Sequence, residues 1–262
     1  MNADQLSARV SPSVALALRL ANEVQASSGD TSRDSELLVV IHITRDSARH
    51  DVIPTVHVSP LAVVAAAGMP ASVAVAVAHQ RRPGPFGAKS SAWLAQRQEM
   101  SALCPPDCTE VITTAPLACD EEASSSASAP LLEGLVNNLF IVATHGIDDA
   151  QTRVVVQTAS VAEGALPGII RIAVLAACHD LGYTIIEAAP VAPPDGKGDV
   201  RWTEAFLCNA VRLLQPIRLI RWLPPCTRPE LHFQEAPGPV TRAIQAYVMQ
   251  ALASEDQLSP PF

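Results

Sequence analysis

Leucines recur on one face over 13–25, directly after Ser11-Pro12, and this spacing predicts a helix with the proline in its first turn. A polar stretch, 26–35, leads into Leu37-Leu-Val-Val-Ile-His-Ile43, whose branched residues predict a strand with 53–58 as its partner. After Gly68-Met-Pro70, which reads as a linker, the valine-rich run 72–78 predicts a buried strand. The Pro83-Gly-Pro-Phe-Gly87 loop then precedes a helical pattern over 90–102, with Trp93, Leu94 and Met100 available to pack. A short strand is expected at 110–113. The Ser/Ala-rich stretch 118–130, carrying Asp120-Glu-Glu122, reads as an acidic surface insertion.

From Leu131 the pattern becomes regular. Strands are expected at 135–143, 153–158, 184–187, 205–208 and 217–222. A helix is expected over 168–181, closed by Gly182, and an amphipathic helix over 239–254. Strands and helices alternate without a strict strand–helix–strand repeat, so the fold class is α+β, or mixed α/β. The expected organisation is a small N-terminal α/β domain over 1–67 and a larger domain over 70–255 that contains the 118–130 insertion.

Composition narrows the function classes. The chain of 262 residues is 48% hydrophobic, 17% charged and only 4% aromatic, as expected for a globular core of Ala, Val, Leu and Ile. A net charge of −8 argues against a nucleic-acid partner, while leaving room for one local anion site. No apolar run reaches the roughly 18 to 20 residues of a membrane span, so no membrane partner is expected. The start, 1–10, lacks a basic-then-apolar leader pattern. A cytoplasmic location is the default, an organelle remaining open. Cys104 and Cys108 have no matching second pair, so no metal site is expected and the six cysteines read as free thiols.

Four stretches carry candidate chemistry. The chain has two lysines among its 18 Lys and Arg residues. Lys197 lies in a Pro/Gly loop, whereas Lys89 follows the 83–87 loop just before a helix. Position alone suits a solvated lysine at a helix start, or an amine held against a ligand and desolvated for Schiff-base chemistry. In Leu132-Glu-Gly-Leu-Val-Asn-Asn-Leu-Phe140, Glu133 opens an apolar strand and needs water or a partner. Gly134 permits close backbone approach, and Asn138 must satisfy its amide, commonly by tying down a neighbouring loop. In Leu166-Pro-Gly-Ile-Ile-Arg171, a Pro-Gly pair at a helix start leaves free amides suited to a phosphate. The fourth stretch is Glu204-Ala-Phe-Leu-Cys-Asn209 with Pro216-Ile217 after it.

Taken together, in this order, these stretches resemble the class-IV aminotransferases, the fold-type-IV enzymes of pyridoxal 5'-phosphate. Lys89, Trp93 and Arg97 match the family's lysine segment in its D-amino-acid aminotransferase and 4-amino-4-deoxychorismate lyase branch. Glu133, Gly134, Asn138 and Phe140 match its Glu-Gly motif, and Leu166, Pro167, Gly168 and Arg171 match its Leu-Pro-Gly motif. Glu204, Phe206, Asn209, Pro216 and Ile217 match the strand pair that follows.

The resemblance implies a two-domain fold with a shortened N-terminal domain, and a homodimer active in amino-acid metabolism. It implies a Lys89 Schiff base to the cofactor, with Glu133 against the pyridine nitrogen. Gly168 and the amides of Ile169 and Ile170 would hold the phosphate, and Asn209 would add phosphate or carboxylate contacts. The activity implied is a transaminase or lyase acting on an amino acid or aminodeoxychorismate. The alternative is an impaired or truncated homologue serving as a dimerising scaffold, to which Ala210 points, standing where many members carry Thr or Ser.

Overall fold

The computed structural model describes residues 3–27, 36–46, 51–61, 70–78, 92–114, 129–145, 153–192, 200–224, 226 and 228–253. The chain divides into two compact units, 1–66 and 67–262.

In the first unit, α1 (Ala3–Ser27) lies against the second strand of an antiparallel hairpin made by β1 (Glu36–Asp46) and β2 (Asp51–Leu61). The helix begins ten residues before the expected start and runs through Pro12. Residues 3–10 include good helix formers, and a proline removes one backbone donor without ending a helix that continues on both sides.

Among the described residues, the second unit is built on nine strands: β3 (Val73–Val77), β4 (Glu110–Thr114), β5 (Leu131–Gly134), β6 (Asn138–His145), β7 (Arg153–Thr158), β8 (Thr184–Glu187), β9 (Val200–Asn209), β10 (Leu213–Trp222) and β11 (Leu231–His232). Six of them close on themselves in the order β3-β4-β5-β6-β9-β10, because β10 pairs with both β9 and β3. One edge of β6 follows β9 along its length. The other is divided, meeting β5 only where Glu133 faces Asn138, and β7 from Ile141 to His145.

Alternate residues point into this barrel: Val73, Val75 and Val77; Leu139, Ile141 and Ala143; Ala205 and Leu207; with Trp202 and Trp222 towards one end. The intervening residues are buried as well. Phe140 and Phe206 stack outside the barrel wall with ring centroids 5.1 Å apart, and neither is exposed to solvent. Burial on both faces explains why these strands read as continuous apolar runs rather than alternating ones.

Helices α2 (Ala92–Ser101), α3 (Ile169–Asp180) and α4 (Pro239–Ala253) complete the unit. Two parallel crossovers are present, β3-α2-β4 and β7-α3-β8, although the sequence pattern shows no such repeat. Glu204 anchors α4: its carboxylate accepts hydrogen bonds from the amides of Val240 (2.9 Å) and Thr241 (2.8 Å) and from the Thr241 hydroxyl.

Three expected boundaries are corrected. The strand expected over 135–143 is the second arm of a hairpin, since Leu131–Gly134 is already a strand and 135–137 form the turn. Leu135 is apolar because it packs with Trp93 and Val111, not because it is extended. Second, α3 starts at Ile169 with Gly168 as its cap, so Pro167 precedes the helix rather than opening it. Third, β9 and β10 reach beyond 205–208 and 217–222, and β10 runs through Pro216. Pro216 is tolerated where β10 has not yet begun to pair with β3, which starts at Ile217.

Candidate functional site

Glu133 lies next to the last residue of β5, at the end of the barrel where β6 begins and β9 finishes. It is 3% exposed, and burial at this level requires that its carboxylate be hydrogen-bonded. Oε2 accepts from the Asn138 amide (3.0 Å) and from the backbone N–H of Leu166 (2.9 Å). The same Asn138 Nδ2 donates to the Leu166 carbonyl (2.9 Å). One side chain therefore joins the carboxylate to the loop that leads into α3.

That loop comes so close that only glycine fits. A Cβ on Gly168 would collide with the Asn138 amide oxygen. Gly168 caps α3 without a side-chain acceptor, so the first-turn amides of Ile169 and Ile170 look to an acceptor outside the helix. The Ile169 side chain is 69% exposed, while Ile170 packs inward. Arg171 is committed to structure, its guanidinium donating to the Ala159 carbonyl (2.9 Å) and pairing with Glu187 (2.7 Å).

Asn209 ends β9 at the same end of the barrel. Its Oδ1 accepts from the amides of Val211 (2.9 Å) and Arg212 (2.8 Å), shaping the turn into β10, and its Nδ2 donates to Asn137 Oδ1 (2.5 Å). Asn209 thus reaches the β5–β6 turn from the other side. The turn at 135–137, with Asn138 behind it, is the hub on which Glu133, the Gly168 helix start and Asn209 converge. Lys89 lies outside the described residues, as do Lys197 and most of the 118–130 insertion.

Two residues of this hub carry no motif assignment. Glu110 opens β4, is 7% exposed, and accepts from the amides of Val111 (3.0 Å) and Leu135 (3.1 Å) and from the Asn137 side chain. Burial raises its carboxyl above the usual carboxylate range, against the pull of the donors from Leu135, Asn137 and Val111. The available signals were a carboxylate opening a short apolar strand and a second asparagine beside Asn138. Neither says what it touches.

A separate cavity of about 670 Å³, lined by Thr144, Trp202, Trp222, Arg228, Glu230 and His232 among others, lies towards the opposite end of the barrel. It includes none of Glu133, Gly168 or Asn209. Among the described residues, no cluster of His, Cys, Asp and Glu is arranged to hold a metal, and no helix is long and apolar enough to cross a membrane.

No protein-family model matches the sequence, and no curated protein matches it. Solved structures do. A branched-chain amino acid aminotransferase from Thermobaculum terrenum in its PLP form superposes with a TM-score of 0.61 at 18% identity, over 87% of this chain and 67% of that one. A branched-chain aminotransferase from Thermoproteus uzoniensis with norvaline gives 0.58 at 19% identity, over 91% and 74%. A hypothetical aminotransferase from Mycobacterium tuberculosis in a PLP-bound form gives 0.56 at 14% identity, over 92% and 76%. The chain has the mixed α+β fold of the class-IV aminotransferases.

Proposed function

We propose that this protein is a pyridoxal-phosphate enzyme of the class-IV aminotransferase kind, acting on an amino acid or aminodeoxychorismate as a homodimer in the cytoplasm. The observation that supports it most is the bridge through Asn138, which sets a buried carboxylate beside a helix start with uncommitted amides. Pyridoxal phosphate needs an anionic partner for its ring nitrogen and amide donors for its phosphate, and this hub has both kinds of group. When bound, the cofactor supplies an electron sink for charge developing at the substrate α-carbon.

The chain's residues do the rest. Glu133 keeps a proton on the ring nitrogen, its orientation fixed by the two donors that Oε2 accepts. The amides of Ile169 and Ile170 receive the phosphate with the favourable end of the α3 dipole. Asn209 acts through the turn it shapes. Lys89 is the amine that binds the cofactor aldehyde and carries the proton to and from the α-carbon.

Adding pyridoxal phosphate to the purified protein should give a yellow absorbance band. Borohydride reduction should then leave a phosphopyridoxyl mass on the peptide containing Lys89. If Lys89→Ala develops the same band, the assignment fails. With the band established, release of pyruvate from aminodeoxychorismate separates a lyase from a transaminase, which instead converts a 2-oxo acid to an amino acid. The scaffold reading is favoured by Ala210, which offers no hydroxyl to a phosphate. A dimer that takes up no cofactor would be its signature.

A further inference from the structure

The contacts linking Glu110, Asn137 and Asn209 have a direction. An amide side chain presents an acceptor on one side and donors on the other, so its orientation follows from whatever fixes either end. At one end stands Glu110, whose carboxylate accepts from Val111 N, Leu135 N and Asn137 Nδ2. At the other end stand the backbone amides of Val211 and Arg212, which can only donate. Between them, Asn137 turns its donor to Glu110 and its oxygen to Asn209, and Asn209 turns its donor to Asn137 and its oxygen to the turn. No amide can be reversed without setting two donors or two acceptors against each other.

Two further observations show that the structure is built around this chain. Gly134 leaves room for Glu110, since a Cβ there would sit 3.0 Å from both its Cγ and Cδ. The turn held at the far end closes on Leu213 at φ 55°, a left-handed conformation that is strained for a leucine and persists only where the surroundings impose it.

We propose that Glu110 and Asn137 are positioning residues, which hold the backbone of the 209–212 turn, through Asn209, in the shape that receives the cofactor phosphate. This rests on the cofactor reading above. The Glu110 carboxylate touches no ligand; it dictates the polarity of two amides, and through them the shape of the turn beside Ala210.

The test is an exchange of acid and amide. Glu110→Gln sets an NH2 against the Asn137 NH2, and Asn137→Asp sets a carboxylate against Glu110. The double variant Glu110→Gln/Asn137→Asp restores every donor to an acceptor. The amide introduced at position 110 still accepts from Val111 and Leu135 and donates to the new carboxylate at position 137, which in turn accepts from Asn209. Dissociation constants are measured for pyridoxal phosphate and for pyridoxal, which lacks the phosphate, with melting temperatures of the ligand-free proteins.

Each single variant should weaken pyridoxal phosphate about tenfold, the equivalent of one buried hydrogen bond, and pyridoxal less than about twofold. The double variant should recover both affinity and melting temperature. Equal weakening of the two ligands would overturn the phosphate-positioning role, and a double variant no better than the singles would overturn the relay. A wild-type protein that binds pyridoxal but shows no preference for the phosphate overturns this inference and leaves the cofactor reading standing. One that binds neither overturns both.

Discussion

In residues 1–66 the hairpin leaves Val40, Ile41, Ile43 and Ile53 exposed, and α1 does the same with Leu16 and Leu20. In the barrel, by contrast, every residue of β3, β4 and β5 is buried. The strands of both units are rich in branched residues, so propensity is not the difference. Closure is. A two-stranded sheet has two open edges and can cover at most one face with a single helix, whereas the six-stranded barrel has an interior and an outer wall packed by further elements. Polar groups can be enclosed only where such a core exists, and Glu110, Glu133 and Asn138 are all found in the barrel unit.

The largest loss is expected at Phe140, unexposed and stacked on Phe206. Phe140→Ala should cost about 3–5 kcal/mol in chemical denaturation. Gly168→Ala comes next: the new methyl displaces the Asn138 amide, with about 1–3 kcal/mol of overpacking and a loss of cofactor affinity by titration.

Glu163 gives a smaller, pH-dependent effect. Desolvation raises its carboxyl, but hydrogen bonds from the amides of Ala189 and Ser160 and from the Ser160 hydroxyl outweigh this and hold it below the ordinary range. A depressed carboxyl contributes stability above the unfolded value of about 4.3 and loses it as pH falls through the folded value. Glu163→Gln should therefore cost about 1 kcal/mol at neutral pH, because its NH2 cannot accept the donors that both carboxylate oxygens now take from Ser160 and Ala189. That difference should vanish in denaturation curves taken at progressively lower pH, below about 4. Smallest of all is Ile43→Ala, half exposed in the hairpin, for which less than about 1 kcal/mol is expected. Hydrogen exchange should show the same contrast in the unaltered chain, with β6 and β9 amides slowest and β1 and β2 amides fastest.

Much of this was legible in the sequence where the cause is local. Branched runs marked β3, β7 and β8, and Gly182 closed α3. The Glu133-Gly134 and Leu166-Pro-Gly168 stretches marked the candidate site, since a carboxylate on an apolar strand and a glycine at a helix start each need an explanation. The turn at 135–137 was not legible, because Leu135 and Val136 are as apolar as a strand; one is buried beside Trp93 and the other is 53% exposed.

The sequence by itself determined the α+β class, most of the elements, and the residue types a phosphate-and-pyridine site would need. Only the tertiary structure decided that β10 returns to β3 to close a barrel, and that Asn138 bridges Glu133 and Leu166, which are 33 residues apart. It alone decided that Glu110 is linked to Asn209 across 99 residues, through Asn137 at separations of 27 and 72. The reason is physical. Periodicity records which face of an element is apolar, but an amide or a carboxylate looks the same in sequence whether it meets water or another buried polar group. Which it meets is fixed by strand pairings that no single stretch of the chain encodes.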